Sequence, residues 1–112
     1  MPKLTDFVDD LSPAERKLRP VFSGVLKYFP DALMLVSHVS QNGNNQHHPG
    51  ADLHWDKTKS SDEADALLRH LIEYAQGKRF DTDGVPILGK VAWRGLALLQ
   101  REIEKDRQKG EK

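Results

Sequence analysis

The sequence predicts an all-α fold, and three observations carry that prediction. Apolar residues recur at three- and four-residue spacing through Ala64, Leu67, Leu68, Leu71, Ile72 and Ala75, and again from Ile87 to Ile103. Helix punctuation brackets these stretches: acids before the first, Gly77 after it, Pro86 ahead of the second. No run alternates apolar and polar residues over the length of a strand, and no segment repeats. The expected architecture is a compact helical domain of four to five helices with one long functional loop, oligomeric through the C-terminal helix.

Residues 1–19 are charge-rich, and Ser12-Pro13-Ala14-Glu15 reads as an N-cap, a first-turn proline and a helix-favouring acid. An N-terminal arm or short helix is expected there, then a helical domain over 20–106 and a charged tail over 107–112. Val21, Phe22, Val25, Leu26, Tyr28 and Phe29 suggest one helix, and Asp31 to Val39 a second. The two are expected to meet at Phe29-Pro30, where proline lacks the N–H that would continue the first. The second is apolar around most of its circumference and is expected to be central. Periodicity stops between Ser40 and Lys59, a stretch rich in Gly, Asn, Gln and His. A connection that long is uncommon in a small domain unless it is functional.

Regular structure is expected to resume at Ser60, which has capping-box spacing to Glu63, and to run to Ala75. Lys78 to Val85 reads as a turn. Pro86 then opens a last helix through Ile87, Val91, Trp93, Leu96, Leu98, Leu99 and Ile103 that dissolves into a charged end. That helix is apolar over more than half its circumference, with Lys90, Arg94 and Arg101 on a narrow polar strip. So much apolar surface on one small domain points to a homo-oligomer.

Composition excludes several classes of function. Lysine plus arginine and aspartate plus glutamate number 17 each, so no overall basic field collects a nucleic acid polymer. With no cysteine there is no disulfide, thiolate nucleophile or sulfur-based zinc site. The first residues do not read as a signal peptide, and no apolar run approaches the ~20 residues of a membrane span. A cytoplasmic protein without a membrane partner is expected.

Three constellations could carry chemistry. His47, His48 and His54 share the loop with Asn44, Asn45, Gln46, Asp52 and Asp56. Histidine and carboxylate can ligate a metal, and amides can read a polar ligand edge, but a plain polar surface loop has the same composition. Trp55 shifts the balance away from it, because an indole in a polar loop suggests either that the loop folds back on the core or that an aromatic surface is offered to a planar ligand such as a base. On the next helix, Asp62 and Asp65 are close enough on one face to share a hard cation such as magnesium. The alternative there is a solvated face with an Asp65–Arg69 pair, and His70 sits at its border with the apolar stripe. Finally, Asp81, Asp83 and Gly84 precede the basic strip of Lys90, Arg94 and Arg101, a complement to phosphate or an ordinary wet face.

Taken in order, Tyr28-Phe29-Pro30-Asp31-Ala32, the Gly43 to Gly50 stretch, Leu53 to Ser60, Asp65 with Arg69-His70-Leu71, Asp81 to Val85, and Lys90 to Arg94 through Leu98-Leu99 resemble a phage-associated family. That family is itself similar to dATP/dGTP diphosphohydrolases. The resemblance covers about Val21 to Glu104. It implies a nucleotide-binding domain that removes pyrophosphate from purine deoxynucleoside triphosphates to leave the monophosphate, in the host cytoplasm if phage-encoded. By position, His47, His54 and Trp55 match the family's loop motif, Asp62, Asp65, Arg69 and His70 its helix motif, and Asp81 its turn. The family usually has a histidine where this chain has Ile87, and often another where it has Lys90. The helical pyrophosphohydrolases built on two acid pairs carry E-x-x-E on one helix, whereas Asp31 to Ser40 holds only Asp31, so that cage is not implied.

The resulting expectation is a magnesium-dependent pyrophosphohydrolase. Asp62, Asp65 and Asp81 would hold Mg²⁺. Lys90, Arg94 and Arg69 would neutralise the leaving group, and His54 or His70 would position or deprotonate water. Trp55, Asn44, Gln46 and His47 would contact the substrate. The rival is a nucleotide-binding sponge without turnover that sequesters a nucleotide signal. A protein adaptor built on the apolar last helix is the third reading.

Overall fold

The structure, a computed structural model, describes residues 1–58 and 61–110. Four α-helices account for most of it: α1 (Pro13–Lys17), α2 (Pro30–His47), α3 (Glu63–Ala75) and α4 (Ile87–Gly110). The fold is all-α. Among the described residues extended pairing is limited to one isolated antiparallel bridge, Phe80 to Pro86, and no helix is long and apolar enough to cross a membrane. The chain divides into two units, Met1–Pro30 with Leu99–Lys112, and Asp31–Leu98.

In the first unit, a 3-10 turn (Leu4–Phe7) is closed by the Lys3 N–H donating to Asp6 at 2.8 Å. α1 starts at the expected N-cap Ser12, which with Glu15 forms a reciprocal capping box: the Glu15 N–H donates to Ser12 Oγ at 3.1 Å and the Ser12 N–H to Glu15 Oε1 at 3.0 Å. The Arg19 guanidinium ties the arm together by donating to the Phe7 and Glu15 carbonyls. The helix expected from Val21 to Phe29 is instead a wide turn (Phe22–Leu26), in which the Lys27 N–H reaches five residues back to Phe22. Pro20 and Pro30 bound this stretch, and the residue before a proline is pushed out of helical geometry, so little room remains to propagate a helix. The charged end does not dissolve as expected, because its residues have partners. Arg107 grips the Asp9 carboxylate through two bonds of 3.0 and 2.8 Å, and Asp106 accepts the Leu4 N–H, so α4 stays helical to Gly110.

In the second unit, α2 runs on through Ser40 to His47, where a loop was expected. Its inward positions do continue at helical spacing, through Val36, Val39, Ser40, Gly43 and Asn44, but they turn small and polar after Val39. Hydrophobic periodicity ends there while the helix does not. Nor is α2 the central helix: Met34 is 74% exposed, and Asn44 is the helix's buried residue. The buried apolar core instead comprises Ala66, Val85, Ile87 and Ala97, from α3, the α3–α4 turn and α4.

α3 ends as expected, with Gly77 at φ +96, the left-handed position that glycine adopts freely. The expected cap Ser60 lies outside the described residues, and Asp62 holds the cap position without a side-chain capping bond. Its inward face is Glu63, Ala66, Leu67, His70 and Glu73. The apolar stripe centred on Leu71 is turned outward. α2 and α4 approach closely at Gly89, where an added Cβ would lie 3.1 Å from Val39 Cγ2 and 3.2 Å from Leu35 Cγ.

Candidate functional site

The polar inward end of α2 faces a cavity of about 640 Å³ within the second unit. α2 contributes Ser40, Asn44, Gln46 and His47, the following loop His48, His54, Trp55 and Asp56, and α3 Glu63 and His70. Asp83 from the turn and Lys90, Trp93 and Arg94 from α4 complete the wall. Volume and lining, aromatic with a few convergent polar groups, are those of a small-molecule site.

Local bonds orient these groups. Asn44 is buried, with both ends of its amide engaged: Nδ2 donates to the Ala51 carbonyl at 3.0 Å and Oδ1 accepts the His54 N–H at 3.4 Å. It folds the loop back onto α2, which brings the His54 and His48 rings to 4.7 Å. Trp93 Nε1 donates to Ser40 Oγ at 2.6 Å, and the fixed indole meets Trp55 edge to face at 5.6 Å. Lys57 lies 4.7 Å from the Trp55 ring centre and Arg94 5.5 Å from that of Trp93. Cations are thus drawn to both aromatic faces.

Two of the histidines have a partner for one ring nitrogen. His54 Nδ1 lies 3.1 Å from the Asp52 carbonyl, which can only accept, so Nδ1 carries the proton. His70 Nδ1 lies 3.2 Å from Glu73 Oε1 and is oriented in the same sense by that side chain. Each neutral ring is left with Nε2 as a proton acceptor.

At the turn, Lys90 Nζ sits 2.7 Å from Asp81 Oδ2 and 2.8 Å from Asp83 Oδ2, with all three side chains about four-fifths buried. Gln46 adds a 3.3 Å bond to Asp83. Partial burial works to raise the Asp83 carboxyl, but hydrogen bonds from Lys90, the Val85 N–H and Gln46 outweigh it and bring the pKa down to about 2. The Lys90 hydrogen bond, with that of the Thr82 N–H, also lowers Asp81. Burial opposes the charge on Lys90, yet its bonds to both carboxylates raise it above the ordinary lysine value.

The family enters at this point. The description "dATP/dGTP diphosphohydrolase, N-terminal" belongs to a family model that matches residues 14–111. This chain belongs to that family. No curated protein and no solved structure is significantly similar to it.

Of the residues singled out in this diphosphohydrolase-family chain, Asn44, Gln46, His47, His54, Trp55, His70, Lys90 and Arg94 are brought to the one cavity. Asn44, Gln46 and His47 reach it from a helix and not from a loop. Asn44 spends its amide on the fold, and Lys90 spends its ammonium on two carboxylates. Asp62, Asp65, Asp81 and Arg69 are not among the lining residues. Asp62 and Asp65 fall outside the inward face of α3, and Arg69 turns to Asp62 at 3.7 Å on exposed surface, where a pair with Asp65 was the alternative. Ile87 is fully buried in the core.

The three acids expected to hold magnesium therefore do not fit it: two lie on the solvent side of α3, and the third is bonded to an ammonium. Among the described residues, no group of three histidine, aspartate or glutamate side chains is placed to hold a metal ion. His48 and Asp83, named in the loop and turn constellations but given no role in the expected mechanism, also line the cavity, and Glu63 and Trp93 line it without having been candidates. Lys90, Trp93 and Arg94 share a helical face, and that spacing could have revealed Trp93. Nothing in the sequence signals the burial of Glu63.

Proposed function

We propose that the cavity binds a purine nucleoside triphosphate. The observation that carries this reading is the convergence of both tryptophans with Arg94 and the histidines on one cavity of nucleotide size. The Trp55–Trp93 corner supplies a stacking surface for the base. Arg94, held 5.5 Å from the Trp93 ring centre, pairs with the phosphates, with the imidazoles of His47 and His48 on the same cavity wall. Family membership supports the purine triphosphate as the ligand class.

A second reading, hydrolysis to the monophosphate and pyrophosphate, is favoured by the His70–Glu73 pair. A carboxylate that fixes the Nδ1 proton leaves Nε2 poised to take a proton from water. No step in it is assigned to magnesium.

Because the chain's two tryptophans both line the cavity, intrinsic fluorescence reports occupancy directly. Titration with dATP, dGTP and the pyrimidine triphosphates, with and without magnesium, is expected to give saturable quenching by purines. Trp55→Ala should weaken binding by about 10- to 100-fold, the ~1–3 kcal/mol of one stacked base. Chromatography of the released ligand separates the readings: intact triphosphate means binding alone, monophosphate plus pyrophosphate means hydrolysis, which His70→Gln should abolish with binding retained. Absence of quenching and of thermal stabilisation by every purine nucleotide would sink both.

A further inference from the structure

The outward stripe of α3 has the geometry of an interface. Ala64, Leu68, Leu71 and Ala75 follow one another at spacings of four, three and four, the repeat of a two-stranded coiled-coil seam, with Ile72 beside them. Leu68 is 55%, Leu71 42% and Ile72 57% exposed. The opposite face of the helix is already used, by Ala66, Leu67 and His70 packing inward. An apolar stripe this regular has no reason to face water in a charge-rich chain.

Charge identifies the occupant. The N-terminal end of the stripe is flanked by the exposed acids Asp62 and Asp65, and its C-terminal end by the exposed bases Lys78 and Arg79. A parallel second copy would set acids against acids. An antiparallel one sets each acidic end beside a basic end and also opposes the helix dipoles. We propose that the chain forms a two-fold homodimer in which α3 pairs antiparallel with α3 of a second copy, Leu68 of each against Leu71 of the other. The same register places Ala64 opposite Ala75, so small residues at both ends let the helices approach. It also sets the end of α3 that carries Asp65 beside the end of the second copy that carries Lys78, while Asp62 keeps its partner Arg69 within the chain.

Sedimentation equilibrium of the intact chain at micromolar concentration should return twice the chain mass of 12.7 kDa. Leu71→Glu should return the single mass with helical circular dichroism retained, whereas Leu96→Glu, on the outward face of α4, should leave the dimer intact. Asp65→Lys and Lys78→Glu should each weaken the dimer and together restore it. Cysteine is absent from the sequence, so an introduced pair gives an unambiguous crosslink. Ala64→Cys combined with Ala75→Cys should yield an oxidised dimer, and Ala64→Cys alone should not. This arm holds even if Leu71→Glu unfolds. A monomeric wild type, dissociation by Leu96→Glu but not Leu71→Glu, or crosslinking by Ala64→Cys alone would each overturn the proposal.

Discussion

Lys90 is the residue whose environment departs furthest from what its position on a basic strip suggests. Two carboxylates of the preceding turn hold its ammonium, so it fastens α4 to that turn. Lys90→Met should destabilise the fold by about 1–3 kcal/mol, between the values of exposed and buried ion pairs, because it strands two acids together. The pH dependence should change sign as well. In the wild type the folded Asp83 carboxyl has a pKa of about 2 against an ordinary 3.8. Its contribution is therefore complete above 3.8 and is lost as pH falls toward 2. In Lys90→Met the same acids repel at neutral pH, and protonation relieves them, so stability should hold or rise over that interval. Urea unfolding of both proteins between pH 2 and 5 checks the crossing, and parallel curves would show that the clamp contributes nothing. Residue type revealed the loop histidines, Trp55 and Arg94 as candidates, because their chemistry is rare in a plain polar surface. It could not reveal that Asp81 and Lys90 neutralise each other, since a carboxylate and an ammonium nine residues apart meet only once the Asp81–Val85 turn is closed.

At the scale of elements, two glycines of α4 make a controlled comparison. A Cβ at Gly89 would meet Leu35 Cγ and Val39 Cγ2 at 3.2 and 3.1 Å, whereas one at Gly95 would find Leu67 Cδ1 at an ordinary 3.7 Å. Alanine gains up to about 1 kcal/mol of helix propensity over glycine at either site. At Gly89 that gain competes with overpacking of about 1–3 kcal/mol against branch atoms that cannot rotate away. Gly89→Ala should therefore lower the unfolding midpoint and Gly95→Ala raise it. Equal shifts in calorimetry would mean that α2 can move aside freely. Element existence was largely legible: Ser12, Pro13, Gly77 and Pro86 all punctuate where the sequence suggests. The end of α2 was not, because hydrophobic periodicity reports burial against apolar neighbours, and beyond Val39 this helix lines a polar cavity. Which face of α3 packs inward is not legible for a related reason. Periodicity finds the apolar stripe but does not say whether the chain or a second molecule covers it.

For the whole molecule, the described fully buried apolar residues are Ala66, Val85, Ile87 and Ala97, two of them alanines, while Leu68, Ile72, Leu88, Leu96 and Leu99 stay more than two-fifths exposed. Burying a large aliphatic side chain contributes about 1.5–3 kcal/mol and an alanine far less. So thin a core is a weak counterweight to backbone entropy of ~1–2 kcal/mol per ordered residue. Surface covered on association, if the chain pairs with a second copy, would add to that stabilisation. Folding coupled to dimerisation has a mass-action signature: the unfolding midpoint rises with chain concentration, whereas that of a monomer does not. For a dimer of this size each tenfold increase is worth about 1.4 kcal/mol and should raise the midpoint by roughly 3 °C. Scanning calorimetry over two decades of concentration reads that slope. Leu71→Glu should flatten it while lowering the midpoint, and a wild-type midpoint independent of concentration would mean that the small core suffices alone.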